Sequence, residues 1–143
     1  MPASILIADD YDDNRELLRL MLEVEGYAIR EARDGLQALE MARADLPTLA
    51  LLDLSMPLLD GWGLLRELRA DERTRRLPCI AVTAFAADQD RQRALTAGFD
   101  GYISKPFRAK ELLDLVRRFV SDGAEPAEAA GGAPSSVGPL RNP

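Results

Sequence analysis

Leu49-Ala50-Leu51-Leu52-Asp53 is four apolar residues without alternation, stopping at a carboxylate. A strand with one wet face alternates apolar and polar side chains. An unbroken short run bounded by polar residues therefore reads as a strand covered on both faces, as in a parallel sheet between helices. The charge sits at the strand's exit.

Working outward, the same grammar repeats. Ser4-Ile5-Leu6-Ile7-Ala8 is a first strand that stops at Asp9-Asp10. Helical spacing follows, with Leu17, Leu18, Met21 and Leu22 on one stripe and Gly26 where a left-handed C-terminal cap belongs. Tyr27 to Ala32 reads as strand two. Asp34-Gly35 opens a helix with Leu36, Leu39 and Ala42 on one face, closed by Pro47. Beyond the central strand, Met56 to Gly61 is loop and turn, with Asp60-Gly61 as the turn, and Leu64, Leu65 and Leu68 mark a third helix. Pro78 introduces Cys79-Ile80-Ala81-Val82-Thr83 as strand four, and a helix from about Asp88 to Ala97 ends at Gly98. Gly101 to Lys105 is strand five, broken by Pro106, and Leu112, Leu113, Val116, Phe119 and Val120 mark the last helix. The chain is an α/β protein of (βα)5 form.

Strict alternation of strands and helices implies a doubly wound parallel five-stranded sheet with right-handed crossovers. The flavodoxin-like strand order 2-1-3-4-5 is taken by analogy with known folds of this type. Ligands of such sheets gather at the carboxyl edge, where strand order reverses.

The 143 residues suit one globular domain, placed at residues 1–120. From Ser121 to Pro143, 16 of 23 residues are Ala, Gly, Pro or Ser, so this segment is expected to be a flexible tail. Nothing in it has the makings of an output domain, which favours a stand-alone protein. The single Cys79 can form neither an internal disulfide nor a metal site of its own. Lys and Arg number 18 against 24 Asp and Glu, a net charge of −6 that argues against direct DNA binding. No apolar run reaches membrane-spanning length and no secretory leader follows Met1, so a cytoplasmic protein is expected. Histidine is absent, which excludes chemistry on a His base, ligand or phosphoryl carrier. Carboxylates, hydroxyls and lysine remain.

Those residue types stand at the strand ends: Asp9 and Asp10, Asp53, Thr83 and Lys105. In a parallel sheet all of these ends share one edge. With strands one and three adjacent, three carboxylates converge, an arrangement unfavourable near neutral pH unless a cation sits among them. An oxygen-only set with few protein ligands suits Mg²⁺ better than a Ca²⁺ cage. A magnesium site, a hydroxyl and a lysine around a carboxylate are the parts of a phosphoryl-transfer site. Asp53 is then the nucleophile, with Lys105 and Thr83 on the phosphoryl oxygens.

Asp9-Asp10, Asp53 within Asp53-Leu54-Ser55-Met56-Pro57-Leu58-Leu59-Asp60-Gly61, Thr83-Ala84 and Lys105-Pro106 together resemble the receiver domain of two-component response regulators over residues 4 to 120. The resemblance implies phosphorylation of Asp53, with Mg²⁺ held directly by Asp10 and Asp53, by Asp9 directly or through water, and by the backbone carbonyl of Ser55. It further implies that Thr83 and Tyr102 are paired switch residues and that Lys105-Pro106 is a cis peptide. Ser55 and Phe85 fall where the family tunes dephosphorylation. The wording around Thr83 and Lys105 is similar to stand-alone receivers of the DivK type and to receivers attached to hybrid kinases. The implied partners are a sensor histidine kinase or histidine phosphotransfer protein, which must be another molecule because this chain has no histidine, and a downstream protein on the face of helix four, strand five and helix five.

Three other readings compete. An aspartate-nucleophile phosphohydrolase shares the acyl-phosphate step but generally carries a second Asp two residues on, where this chain has Ser55; any turnover is then slow and self-directed, so no enzyme activity in the ordinary sense is expected. A flavodoxin-like FMN carrier would be repelled by Asp9-Asp10-Tyr11-Asp12-Asp13, of which Asp12 and Asp13 read as helix-start residues. The chain is otherwise a receiver fragment of a larger hybrid kinase or regulator.

Overall fold

The computed structural model describes residues 2–84 and 88–124. Five strands alternate with five helices: β1 (Ser4–Ala8), α1 (Asp12–Glu23), β2 (Ala28–Ala32), α2 (Gly35–Ala44), β3 (Leu49–Leu52), α3 (Gly61–Ala70), β4 (Cys79–Thr83), α4 (Asp88–Ala97), β5 (Gly101–Ser104) and α5 (Ala109–Ala124). All strand pairs are parallel, in the order β2-β1-β3-β4-β5.

The apolar run at β3 is covered on both sides. Ala50 and Leu52 join Leu6, Ala8 and Ala81 against α2, α3 and α4, whereas Leu49 and Leu51 join Ile5, Ile7, Ile80 and Val82 against α1 and α5. Successive side chains point to opposite faces, so each of the inner strands β1, β3 and β4 feeds two cores and cannot alternate with polar residues, whereas the edge strand β2 carries Arg30 and Glu31. A fully buried Leu such as Leu52 contributes about 1.5–3 kcal/mol.

The loops follow their capping chemistry. Asp34 caps α2 by accepting the Gln37 amide at 2.8 Å. Asp60 does the same for α3 with the Gly63 amide, so it is a helix cap as well as a turn residue. Gly26 sits at φ +92° after α1, where a Cβ would be strained. Gly61 is required by close approach: a Cβ there would lie 2.4 Å from the Asp53 carbonyl oxygen. Two residues expected on buried stripes are half exposed, Leu17 on α1 and Leu36 on α2. Each lies at the margin of its helix's apolar arc, whose centre is taken by Leu18 and Leu22 or by Ala38, Leu39 and Ala42.

Lys105 follows β5 rather than closing it. Helix α5 runs on to Ala124, past Ser121 where the composition changes. The remainder of the expected tail, residues 125–143, lies outside the described residues. Among the described residues, no helix is long and apolar enough to cross a membrane.

Candidate functional site

Register alone brings the acidic residues together. Ala8 of β1 pairs with Leu52 of β3, so the next residues, Asp9 and Asp53, leave adjacent strands side by side. The Asp53 amide donates to the Ala8 carbonyl at 2.9 Å, extending the ladder one step beyond the strands. Thr83 pairs with Ser104 at the far end of β4 and β5, and the Lys105 amide donates to the Thr83 carbonyl at 2.7 Å. All four strand ends open on one edge of the sheet.

Lys105 closes the cluster. Its ammonium donates to Asp9 Oδ2 at 3.1 Å and to Asp53 Oδ2 at 3.2 Å. Each carboxylate uses its other oxygen on backbone two residues ahead: Asp9 Oδ1 accepts the Tyr11 amide at 2.9 Å, and Asp53 Oδ1 accepts the Ser55 amide at 3.0 Å. Asp9 is 2% exposed and Asp53 8%, so neither is an ordinary surface acid. Asp10 is exposed, and one carboxylate oxygen from each of Asp9, Asp10 and Asp53 lies within 4.8 Å of the others.

Burial pushes the Asp53 carboxyl above its usual range, and the neighbouring Asp9 adds to that, against the Ser55 amide and Lys105. Burial works against the Lys105 ammonium, but Asp53 and Asp9 outweigh it and hold its pKa above the usual lysine value. The pocket is therefore short of positive charge. Its oxygen-only donors, two buried and one open to solvent, fit a hard divalent cation that keeps part of its water shell.

The other expected residues fall around this cluster. Thr83 is buried at the end of β4, and Ser55 is exposed on the loop after Asp53. Tyr102, half-buried on β5, packs against the core shared by α2, α3 and α4. Its hydroxyl is enclosed without a hydrogen-bond partner among the described residues, and burial raises its pKa. The Lys105–Pro106 peptide is cis. Phe85 lies outside the described residues.

One participant escapes the sequence reading. Arg15, in the first turn of α1, donates to the Asp9 backbone carbonyl at 2.7 Å and pairs with Asp12 and Glu31. An arginine one turn into a helix that starts with two acids is the signal available, but it looks like any surface ion pair until β2 is known to lie beside β1.

Fold and site together define a receiver-type module: a five-stranded parallel sheet with an acidic cluster and a lysine at its carboxyl edge. The family model of the response regulator receiver domain matches residues 5–117, and the chain belongs to that family. It is 36% identical over 122 residues to the polar-differentiation response regulator DivK of Brucella anthropi, covering 85% of this chain and 99% of that protein. Among solved structures it resembles the receiver domain of the sensor histidine kinase PA1611 from Pseudomonas aeruginosa, with a TM-score of 0.78, 36% identity, and coverage of 85% of this chain and 99% of that one. That crystal structure holds a magnesium ion in its active-site cleft. A putative response regulator from Chloroflexus aurantiacus superposes with a TM-score of 0.81 at 32% identity, over 85% of this chain and 99% of the other.

Proposed function

We propose that this receiver accepts a phosphoryl group on Asp53 from a phosphohistidine of a sensor histidine kinase or histidine phosphotransfer protein, and that the modified form binds a downstream protein. The observation that carries the reading is the bridging of buried Asp9 and Asp53 by Lys105 at the carboxyl edge of the sheet. Asp10, Asp53 and the Ser55 carbonyl, with Asp9 directly or through water, would hold a magnesium ion, which would supply further neutralisation of the phosphoryl oxygens.

An Asp53 carboxylate oxygen attacks phosphorus, the P–N bond to the donor imidazole breaks, and the imidazole nitrogen leaves with the bonding pair. The product is an acyl phosphate. Lys105 neutralises one phosphoryl oxygen, which frees it from part of its pairing with Asp53, and the Thr83 hydroxyl donates to another. Movement of Thr83 toward the phosphoryl group leaves room for Tyr102 to pack inward, and the face of α4, β5 and α5 carries the change to the partner. The protein is a switch rather than an enzyme, with at most slow self-phosphorylation and autodephosphorylation.

Acetyl phosphate with magnesium should add one phosphoryl group, seen by intact mass, and chelation should abolish the addition. Asp53→Asn should remain unlabelled. A labelled Asp53→Asn protein overturns the assignment.

A further inference from the structure

We infer that Arg15 is a positioning residue for the acidic pocket, acting through the peptide that joins Asp9 to Asp10. The inference rests on the proposed role of that pocket in holding magnesium. The carbonyl that Arg15 Nη1 grips at 2.7 Å belongs to that peptide, so the guanidinium fixes the rotation of the peptide plane and with it the direction in which Asp10 leaves the chain. Asp10 needs such help. It is the exposed member of the three clustered acids, whereas Asp9 and Asp53 are held by backbone amides and by Lys105.

The guanidinium is itself immobilised. Its Nε lies 3.2 Å from Glu31 Oε1 on β2, its Nη2 pairs with Asp12, and its side chain is only 12% exposed. Glu31 is held in turn, with Oε2 at 3.0 Å from Arg19 Nε. The Asp9 amide donates to Ala32 at 3.1 Å, so the peptide groups on both sides of Asp9 are tied toward β2 and α1. Glu31, Arg15 and the Asp9 carbonyl thus form a brace that runs from β2 to the pocket. Such outer partners, which orient a ligand without touching the metal, govern metal affinity by about 10- to 100-fold.

Charge and geometry make opposite demands, which renders the inference testable. As a mere positive charge near the pocket, Arg15 opposes cation binding, and removing it would tighten magnesium. As a brace it favours binding, and a lysine cannot replace it because a point charge has no planar fork to span the carbonyl and Glu31 together.

The experiment titrates magnesium alone, by calorimetry, into wild-type, Arg15→Lys, Arg15→Gln and Glu31→Gln proteins below their unfolding temperatures. The Asp10 amide resonance is followed in each metal-free protein. Arg15→Lys and Arg15→Gln should each lose about 10-fold or more in magnesium affinity and shift the Asp10 resonance. Glu31→Gln should lose less, because the grip on the carbonyl survives. If Arg15→Gln fails to fold, the lysine and Glu31 variants decide. Wild-type affinity in Arg15→Lys, or tighter binding in Arg15→Gln, overturns the brace. A wild-type protein that takes up no magnesium overturns the proposed function instead.

Discussion

Helices α4 and α5 both pack beside β5, yet they are attached to the molecule in different ways. Helix α5 sends Leu112, Leu115, Val116 and Phe119 into the core beneath β1, β3 and β4. Helix α4, with the sequence Asp88-Gln89-Asp90-Arg91-Gln92-Arg93-Ala94-Leu95-Thr96-Ala97, buries Ala94 fully and little else among its described side chains. One helix is anchored by four large apolar groups and the other rests on a methyl. Local opening free energy tracks buried apolar contact, so α4 is built to move at a cost that α5 could not meet. The site belongs to the tightly held part of the molecule: each carboxylate oxygen of Asp9 and of Asp53 has a hydrogen-bond donor, from a backbone amide or from Lys105.

The difference can be broken from the α5 side first. Phe119→Ala should cost about 3–5 kcal/mol in urea unfolding, because the buried ring packs against Gly101, which has no side chain of its own to fill the space left behind. A loss near that of an α4 substitution would mean that the two helices are equally anchored. Next in size is Lys105→Met, which leaves Asp9 and Asp53 without their shared ammonium. Breaking a buried pair costs about 3–5 kcal/mol, and the partial exposure of Lys105 places this case at the lower end, at about 3 kcal/mol in chelator. Magnesium should restore part of it.

Asp53 gives the pH test, with a definite sign. Its folded pKa is raised above 3.8, so between that value and the folded one the native state binds more protons than the unfolded state. Stability from this group is therefore lost as pH rises through the window, and at neutral pH the ionised carboxylate weakens the metal-free fold. Asp53→Asn should raise the urea midpoint at pH 7 in chelator and should lose that advantage below pH 3.8. Added magnesium should reverse the ranking of the two proteins. An Asp53→Asn protein less stable than wild type at pH 7 in chelator would show that the Lys105 pairing outweighs burial.

The element order could be read from the chain because the strands are short, the inner ones are apolar, and three of the five are stopped by a charge or a proline, as at Asp9, Asp53 and Lys105-Pro106. The convergence of Asp9, Asp53 and Lys105 followed once strand order was assumed, although 96 residues separate Lys105 from Asp9. What could not be read were contacts set by the packing of distant loops. Arg69 of α3 binds the Gly98 carbonyl and Asp100, whose carboxylate also takes the Cys79 amide. No periodicity announces a clamp across 31 residues. The exposure of Leu17 and Leu36 was hidden for a related reason: a helical stripe has margins, and only the sheet beneath decides which residue lies outside. Arg15 stayed hidden because its decisive partner is a backbone carbonyl, which carries no residue identity.

The smallest effect sharpens the comparison most. Ala94→Gly should cost about 1–2 kcal/mol, about 1 from helix propensity and the rest from the one buried methyl on which α4 rests. Arg93 lies over the Trp62 ring at 4.4 Å from its centroid, and Trp62 meets Phe99 edge-on at 5.9 Å, so a cation–π contact helps tie α4 to the start of α3. At a partly exposed site this is worth about 0.5–1 kcal/mol. Trp62 directly follows Gly61, whose amide bonds to Leu54 next to Asp53, and it is the only tryptophan in the chain. Arg93→Ala should therefore barely shift the unfolding midpoint but should change Trp62 emission and speed amide exchange in α4, leaving α5 unaffected. Equal acceleration in both helices would mean that α4 is not separately attached, and the contrast between the two would have to be abandoned.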